Sequence, residues 1–280
     1  MIQIQIVTWN SSEHLERLFK GIHAQKGVEY SVVVIDNHSH DKSVQRVRSL
    51  HPDAMIIENE SNRGFAAAHN QGFEYADAPY ILVLNPDTEM QPGFLSSVLA
   101  TIKGDSSIGS VGGILYRELP DAKKDGIIDS CGLKMMPWGE VVDIHCKPLK
   151  KGNFEAHRRV FGISGACVLY RKKALLDVCD LFGVFDERFG TYKEDVDLAW
   201  RLSVKGWQSI VCADAACWHE RTVRKDNRMS HGNAVRKASF VNHRLMLRKN
   251  LSARDWWRIP CILMYETAKS LYMYFSRTRV

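Results

Sequence analysis

Ile81-Leu82-Val83-Leu84-Asn85-Pro86-Asp87-Thr88 joins a short apolar run to a polar triplet, and this junction governs how the rest of the chain reads. Four apolar residues without alternation mark a strand covered on both faces, as in a parallel sheet. Asp87 then falls just beyond the strand's carboxyl end, where open α/β sheets bind ligands. The same signature recurs upstream: Ile2–Trp9 leads to Asn10, and Ser31–Ile35 leads to Asp36-Asn37. Between them Leu15, Leu18, Phe19 and Ile22 repeat at helical spacing within Ser11–Ala24. Asp41–Leu50, Phe65–Tyr75 and Pro92–Ile102 read as further helices, the last with proline near its first turn. Ala54–Glu58, Tyr80–Leu84 and Ser110–Leu115 read as strands. Repeated β-α units predict an α/β fold with a mostly parallel, doubly wound sheet.

The pattern breaks after residue 115. Residues 116–160 are rich in Pro, Gly, Lys and Asp and predict an irregular or hairpin-bearing insertion on the acceptor side. Val160–Tyr170 reads as a strand interrupted by Gly162 and Gly165, Asp195–Val204 as a helix, and Ser209–Ala213 as a strand. Residues 234–250 and 254–276 read as two helices. The expected division is therefore 1–115, 116–233 and a helical extension over 234–280.

At 280 residues and 45% hydrophobic, the chain has ample material for a core. Its net charge of +6 is unevenly spread: residues 221–280 hold 14 Lys and Arg against 3 Asp and Glu, whereas the first 220 hold 24 against 29. A basic extension on a near-neutral body suits an anionic surface. Trp256, Trp257, Ile259, Leu263, Met264, Leu271, Tyr272 and Phe275 share that segment with Arg254, Arg258, Lys269, Arg277 and Arg279, a composition for the face of an anionic bilayer, an oligomer interface or packing on the body. A nucleic-acid partner is not expected. Seven cysteines form no paired framework and no C-x-x-C, which suits a reducing cytosol without structural zinc. With no secretory signal pattern and no run of about 18 uncharged apolar residues, the expected location is cytoplasmic or peripheral on the inner face of the membrane.

Several polar residues are placed to carry chemistry. Asp186, Glu187, Glu194, Asp195 and Asp197 crowd five carboxylates into twelve residues. Such repulsion calls for a helix N-terminus, a bound cation or a substrate proton to offset it. Asp195 is the candidate general base for a substrate hydroxyl. Asp195-Val196-Asp197 is also a literal D-x-D and rivals Asp87 as a metal site. Asp87 suits Mg²⁺ or Mn²⁺, which bind through one or two carboxylates plus phosphates, though a Pro-Asp turn into the next helix would look the same. Asp36 could accept hydrogen bonds from a nucleobase or ribose, or cap the following helix, a task open to Asp41 as well. Asn62-Arg63-Gly64-Phe65 offers a cation for phosphate and a glycine for close backbone approach, or simply a turn. His219, after Cys217-Trp218, is a structural histidine or a further metal ligand. Gly162-Ile163-Ser164-Gly165-Ala166 is no nucleophile elbow, because position 166 is alanine. G-x-G-x-x-G and P-loop motifs are missing, as is the Gly-rich basic loop of a nucleotidylyltransferase.

Taken in order, Ile6-Val7-Thr8-Trp9-Asn10, Val34–Asp41, Asn62-Arg63-Gly64-Phe65 with Asn70 and Gly72, Leu84-Asn85-Pro86-Asp87-Thr88 and Phe185–Arg201 resemble family 2 inverting glycosyltransferases over residues 2 to 250. The nearest subgroup is similar to bacterial rhamnosyltransferase-type enzymes of O-antigen and other surface polysaccharides. The resemblance implies a GT-A fold: a Rossmann-like nucleotide half (1–115) and an acceptor half (116–233) in one body. It implies a nucleoside-diphosphate sugar donor held by Thr8, Asn10, Asp36, Arg63, Gly64, Asn85 and Asp87. It implies Mg²⁺ or Mn²⁺ on Asp87 and His219, and Asp195 as catalytic base. Gly165 and Ala166, with Glu194 and Asp197, fall on the donor-sugar and acceptor side. Asn85 replaces the first aspartate of the family's D-x-D and leaves less negative charge for the metal; Trp9 replaces the more usual tyrosine. The expected donor is dTDP-rhamnose, with UDP-linked GlcNAc, galactose, galactofuranose or glucose as alternatives, and the acceptor is a glycan or lipid-linked glycan. The rival class is a non-catalytic nucleotide-sugar-binding module. A homo-oligomer is compatible with all of these readings.

Overall fold

The computed structural model describes residues 1–117, 127–145, 157–220 and 232–277, with side chains over 237–272 in the last of these. The first part alternates as the periodicity predicts: β1 (Ile2–Thr8), α1 (Leu15–His23), β2 (Tyr30–Asp36), α2 (Ser43–Leu50), β3 (Met55–Glu58), α3 (Gly64–Glu74), β4 (Tyr80–Leu84), β5 (Thr88–Met90), α4 (Phe94–Gly104) and β6 (Ile108–Tyr116). Then come three short strands, β7 (Ile128–Ser130), β8 (Leu133–Met135) and β9 (Val141–Asp143), followed by β10 (His157–Val160), β11 (Cys167–Arg171) and α5 (Lys172–Val178). A 3₁₀ turn at Glu187–Phe189 precedes α6 (Glu194–Val204), β12 (Gln208–His219) and α7 (Gly232–Asn250). A second 3₁₀ segment, Ala253–Arg258, leads into α8 (Ile259–Arg277).

One sheet runs β10-β12-β6-β11-β4-β1-β2-β3, with β5 added to β12 and β7 to β6. Strands β4, β1, β2 and β3 pair in parallel. Beyond β4 the sheet becomes mixed, because β11 inserts antiparallel between β4 and β6. Successive side chains of a strand point to opposite faces, and β4 shows both faces covered. Leu82 and Leu84 join the core with α1 and α4, while Ile81 and Val83 join the core with α3, α5 and α6.

The alternation Ile2-Gln3-Ile4-Gln5-Ile6 looks like a strand with one wet face, yet Gln3 and Gln5 are buried. Helix α3 lies over them, and Gln3 Nε2 donates to the Gly72 carbonyl at 3.0 Å. A Cβ on Gly72 would stand 2.9 Å from the Gln5 side chain, so the glycine lets the helix sit this close.

Helix boundaries moved where side chains hold the loops. The predicted helix over 11–24 starts at Leu15, since Ser11 N and Ser12 N donate instead to Ser43 Oγ and Asp41 Oδ2. The interrupted strand over 160–170 resolves into β10 and β11. The predicted strand over 209–213 extends to His219, passing an irregularity between Val211 and Ala216 in its pairing with β6. Helix α5 and strand β5 carried too few residues to be predicted. The insertion contains a β8–β9 hairpin, and its residues 118–126 and 146–156 lie outside the described set. The six cysteines among the described residues are free thiols. No helix among the described residues is long and apolar enough to cross a membrane.

The C-terminal helices differ from a simple basic extension. Met246 and Leu247 of α7 and Ile262 of α8 are buried with Val196 and Trp200 of α6 in one cluster. Arg258, expected on a membrane-facing stretch, is buried and donates to the carbonyls of Met136 and Pro137. Lys269 turns toward Glu140 rather than outward. The outward face of α8 carries Ile259, Leu263, Met264, Leu271 and Tyr272, beside exposed Trp256 and Trp257. The Phe275 and Arg277 side chains and Arg279 lie outside the described residues.

Candidate active site

The first group of candidate residues lies at the ends of β1 and β2. Thr8 Oγ1 donates to Asp36 Oδ1 at 2.8 Å, and Ser39 donates to Asp36 through both its backbone N (2.8 Å) and its Oγ (2.6 Å). An ionised carboxylate has about four acceptor sites, so Asp36 organises its own loop and keeps one in reserve. Asp41, one residue before the Lys42 N-cap of α2, accepts from Ser43 N and Oγ and from Ser12 N. Burial alone would raise its pKa, but these donors hold it at about 2. Asn10 takes a left-handed φ of 50° and accepts from His40 N, tying the β1 loop to the β2 loop.

Arg63 precedes α3 with its side chain exposed. Gly64 has φ of 79°, and a Cβ there would lie 3.0 Å from the Gly190 carbonyl oxygen. The close approach that requires this glycine is therefore to protein backbone, where sequence reasoning had suggested a ligand. Ala66 N donates to that Gly190 carbonyl at 3.0 Å.

Asp87 is positioned by a strand pairing that sequence reasoning missed. Thr88 of β5 pairs with His219 of β12, and Glu220 N donates to the Asp87 carbonyl. This brings His219 Nε2 to 3.5 Å from Asp87 Oδ1. His219 Nδ1 lies 3.1 Å from Asp129 Oδ2, and Asp129 is held in turn by Arg117 at 3.0 Å. Burial opposes charge on His219, but the two carboxylates raise its pKa to about 9. Burial pushes Asp87 up, yet pairing with His219 leaves it below the usual carboxylate range.

The residues present fit a divalent metal. Asp87 Oδ1 is buried and makes no hydrogen bond. The imidazole beside it is oriented through its other nitrogen by a carboxylate, the arrangement that supports metal-bound histidines. The described residues contain no cluster of three or more ligating side chains, and such ions complete their shells with substrate phosphates and water.

Asp195 stands on the far side of a short connector. Asn85 N donates to the Ala166 carbonyl at 2.8 Å, and the adjacent Gly165 N donates to Asp195 Oδ2 at 3.1 Å. One backbone hydrogen bond and one backbone-to-carboxylate hydrogen bond thus join the loop carrying Asp87 to Asp195 in the first turn of α6. A Cβ on Gly165 would come within 3.2 Å of the Asp195 Cβ, so glycine permits the contact.

Glu194 and Asp195 are driven up by burial to different extents. Glu194 rises well above the carboxylate range, with the Asp195 charge adding to burial, and its Oε2 is buried without a hydrogen bond. Asp195 rises less, because Gly165 N, Lys193 and Val196 N oppose the effect of burial. Burial thus raises both neighbouring carboxyls, and Gly165 N and Val196 N donate to the Asp195 carboxylate against the rise.

The other crowded carboxylates are offset by cations of the protein. Asp186 meets Arg188 at 2.6 Å and Lys249 at 2.7 Å. Burial would raise it, but these bonds hold it at about 2. Asp197 meets Arg201 at 2.8 Å, Lys249 at 3.1 Å and Asn250 Nδ2 at 2.8 Å. It is therefore bound into the scaffold between α6 and α7, where cations of the protein meet the carboxylate that the D-x-D reading would give to a metal. Asp129, Arg117 and Asn242 carry no sequence signal of their own, since only folding brings them to these partners.

The mostly parallel sheet, covered by helices on both faces, is a scaffold of the GT-A type. Residues 4–179 match glycosyl transferase family 2, and the chain belongs to that family. N-acetylglucosaminyl-diphospho-decaprenol L-rhamnosyltransferase of Mycobacterium tuberculosis is 27% identical across 93% of this chain and 87% of its own length. Poly-beta-1,6-N-acetyl-D-glucosamine synthase of Staphylococcus aureus is 25% identical across 96% of this chain, which spans 61% of that protein. Two solved structures share the fold. S. aureus TarS 1-349 in complex with UDP-GlcNAc has a TM-score of 0.63 at 17% identity, covering 99% of this chain and 74% of that one. GalNAc-T7 with UDP, GalNAc and Mn²⁺ has a TM-score of 0.68 at 14% identity, covering 89% of this chain and 47% of that one.

Proposed function

We propose that this protein is an inverting glycosyltransferase that moves L-rhamnose from dTDP-rhamnose to a hydroxyl of a glycan or lipid-linked glycan. The observation that carries the reading is the Gly165-Ala166 connector, hydrogen-bonded to the Asn85 backbone on one side and to the Asp195 carboxylate on the other. It supports a general base at Asp195 opposite a loop that would bind the diphosphate, as a single displacement at an anomeric carbon requires. Asp195 takes the proton of the acceptor hydroxyl as its oxygen attacks that carbon. The nucleoside diphosphate leaves from the opposite face, and the configuration inverts. Asp87 and His219 would hold Mg²⁺ or Mn²⁺; when bound, the ion supplies positive charge for the leaving diphosphate. Asp129 keeps the His219 ring oriented.

Rhamnose is placed first because the rhamnosyltransferase relative aligns along nearly its whole length. A UDP-linked N-acetylglucosamine donor is the second reading, supported by the 25% identity to the synthase. A binding module without catalysis has no use for the Glu194-Asp195 pair held under the connector. Thermal shift against dTDP-rhamnose and a UDP-sugar panel, with and without Mn²⁺, tests the donor, since a ligand of the folded state raises the melting temperature. A metal-dependent shift with UDP-GlcNAc alone would overturn the rhamnose assignment. NMR of the product's anomeric proton tests inversion.

The outward face of α8 supports an anionic bilayer as the site of a lipid-linked acceptor. Large apolar side chains cover it, while the Glu266 and Lys269 side chains of the same helix face Arg244 and Glu140 of the body. An interfacial helix uses such an apolar face together with basic flanks. Replacing Trp256, Trp257, Leu263 and Met264 with serine tests this without removing the buried Ile262 and Arg258. Unchanged sedimentation with anionic vesicles would refute it.

A further inference from the structure

We propose that Asn242, on α7 and outside the matched family segment, is a positioning residue that holds the turn aiming Asp195. The inference rests on Asp195 being the base, as argued above. Asn242 is buried, and its Nδ2 donates toward three carbonyls of one turn: Phe189 at 2.7 Å, Thr191 at 3.0 Å and Tyr192 at 2.8 Å. Two amide hydrogens are thus shared among three acceptors that converge on one point.

The backbone has to be held in this shape. Gly190, Tyr192 and Lys193 all take positive φ, of 61°, 77° and 73°. A left-handed conformation is unfavourable for side chains as large as tyrosine and lysine and persists where the surroundings enforce it. Lys193 is the residue before α6, and its side chain makes no capping bond there. The direction in which α6 starts, and with it the placement of Glu194 and Asp195, depends on this turn.

Support comes from two sides. On one, Gly64 packs on Gly190 and Ala66 N donates to its carbonyl, so the start of α3 braces the turn from the nucleotide half. On the other stands Asn242, whose helix is pinned two turns later by Lys249 and Asn250 on Asp186 and Asp197. The helix that presents Asn242 is therefore fixed against the element it orients.

Asn242→Asp is the informative change, because it keeps the shape while replacing the donor with an acceptor facing three carbonyls. Turnover is read as nucleoside diphosphate released from dTDP-rhamnose, with UDP-GlcNAc as second donor. It is normalised to the fraction of chains that binds dTDP or UDP stoichiometrically. The expected result is a fall in kcat of at least tenfold with donor KM within threefold, since small misplacements of a catalytic group cost up to about 10²-fold. Hydrogen exchange is expected to accelerate in the peptide covering 187–197 and not in the central strands. In an Asp195→Asn background, the second change should cost less than twofold, because a residue acting through Asp195 has nothing left to position.

Full loss from Asn242→Asp in that background, or unchanged kcat and exchange in the wild-type background, would overturn the proposal with the base assignment intact. Near-normal turnover of Asp195→Asn alone would overturn the base assignment instead. If Asn242→Asp does not fold, Asn242→Ser, which keeps one donor, takes its place with the same readouts.

Discussion

Lys249→Met should unfasten α7 from α6, and its cost can be worked from the contacts. Lys249 Nζ lies 2.7 Å from Asp186, 3.1 Å from Asp197 and 3.1 Å from Asp180; the Asp186 and Asp197 side chains are fully buried. Removing one partner of a buried ion pair costs about 3–5 kcal/mol, because a charge is left without compensation. Arg188 and Arg201 remain on Asp186 and Asp197, which puts the expected loss near the lower end, at about 3 kcal/mol. For a domain of this size that corresponds to a fall in Tm of roughly 5–10 °C.

The pH dependence carries a signature. Asp186 sits at about 2 against an ordinary 3.8, a gap worth roughly 2 kcal/mol of stability. A depressed carboxylate stabilises the fold at pH above its unfolded value and loses that contribution as pH falls through its folded value. The wild type therefore holds this contribution above about pH 4 and loses it toward about pH 2. In the variant Asp186 keeps only Arg188 and protonates at a higher pH than in the wild type, so the difference between the two proteins should narrow as pH falls through the window between about 4 and 2. Urea unfolding followed by circular dichroism at pH 7 and at pH 3, inside that window, measures both effects. A loss below 1 kcal/mol at pH 7, or one that does not change with pH, would refute the reasoning that Lys249 neutralises buried carboxylates.

Other outcomes follow from the same geometry. Asp195→Asn should lower kcat by roughly 10²–10⁴-fold, as expected for a lost general base, with nucleotide affinity retained in a calorimetric titration. Asp87→Ala should abolish the dependence of nucleotide binding on Mn²⁺ while the fold persists; an affinity that still responds to Mn²⁺ would move the metal elsewhere. Gly64→Ala places a Cβ against the Gly190 backbone at positive φ, and should cost about 2–4 kcal/mol in chemical denaturation from conformational strain and overpacking together.

Local pattern was enough to read the alternating strands and helices from β1 to β6. Uninterrupted apolar runs such as Ile81–Leu84 must be buried on both faces, and helical spacing in Leu15, Leu18, Phe19 and Ile22 must cover them. The polar residues that end those strands are therefore placed by local geometry alone. The family's motifs named Asp87, Asp195 and His219 in the same way, as short words that survive without knowledge of the fold.

What folding decided were the long-range pairings. Thr88 lies opposite His219, 131 positions along the chain, so the Asp87–His219–Asp129–Arg117 chain has no local signature. Asp195 and Asp197 sit two residues apart on one helix, yet one faces the Gly165 connector and the other is enclosed by Arg201, Lys249 and Asn250. The C-terminal helices read as a basic extension because composition reports charge and not direction. Packing turned Lys249, Arg258 and Lys269 inward and left the apolar side chains of α8 outward. A carboxylate's role depends on which charges and donors lie within a few ångströms, and three-dimensional contact sets that distance where chain separation does not.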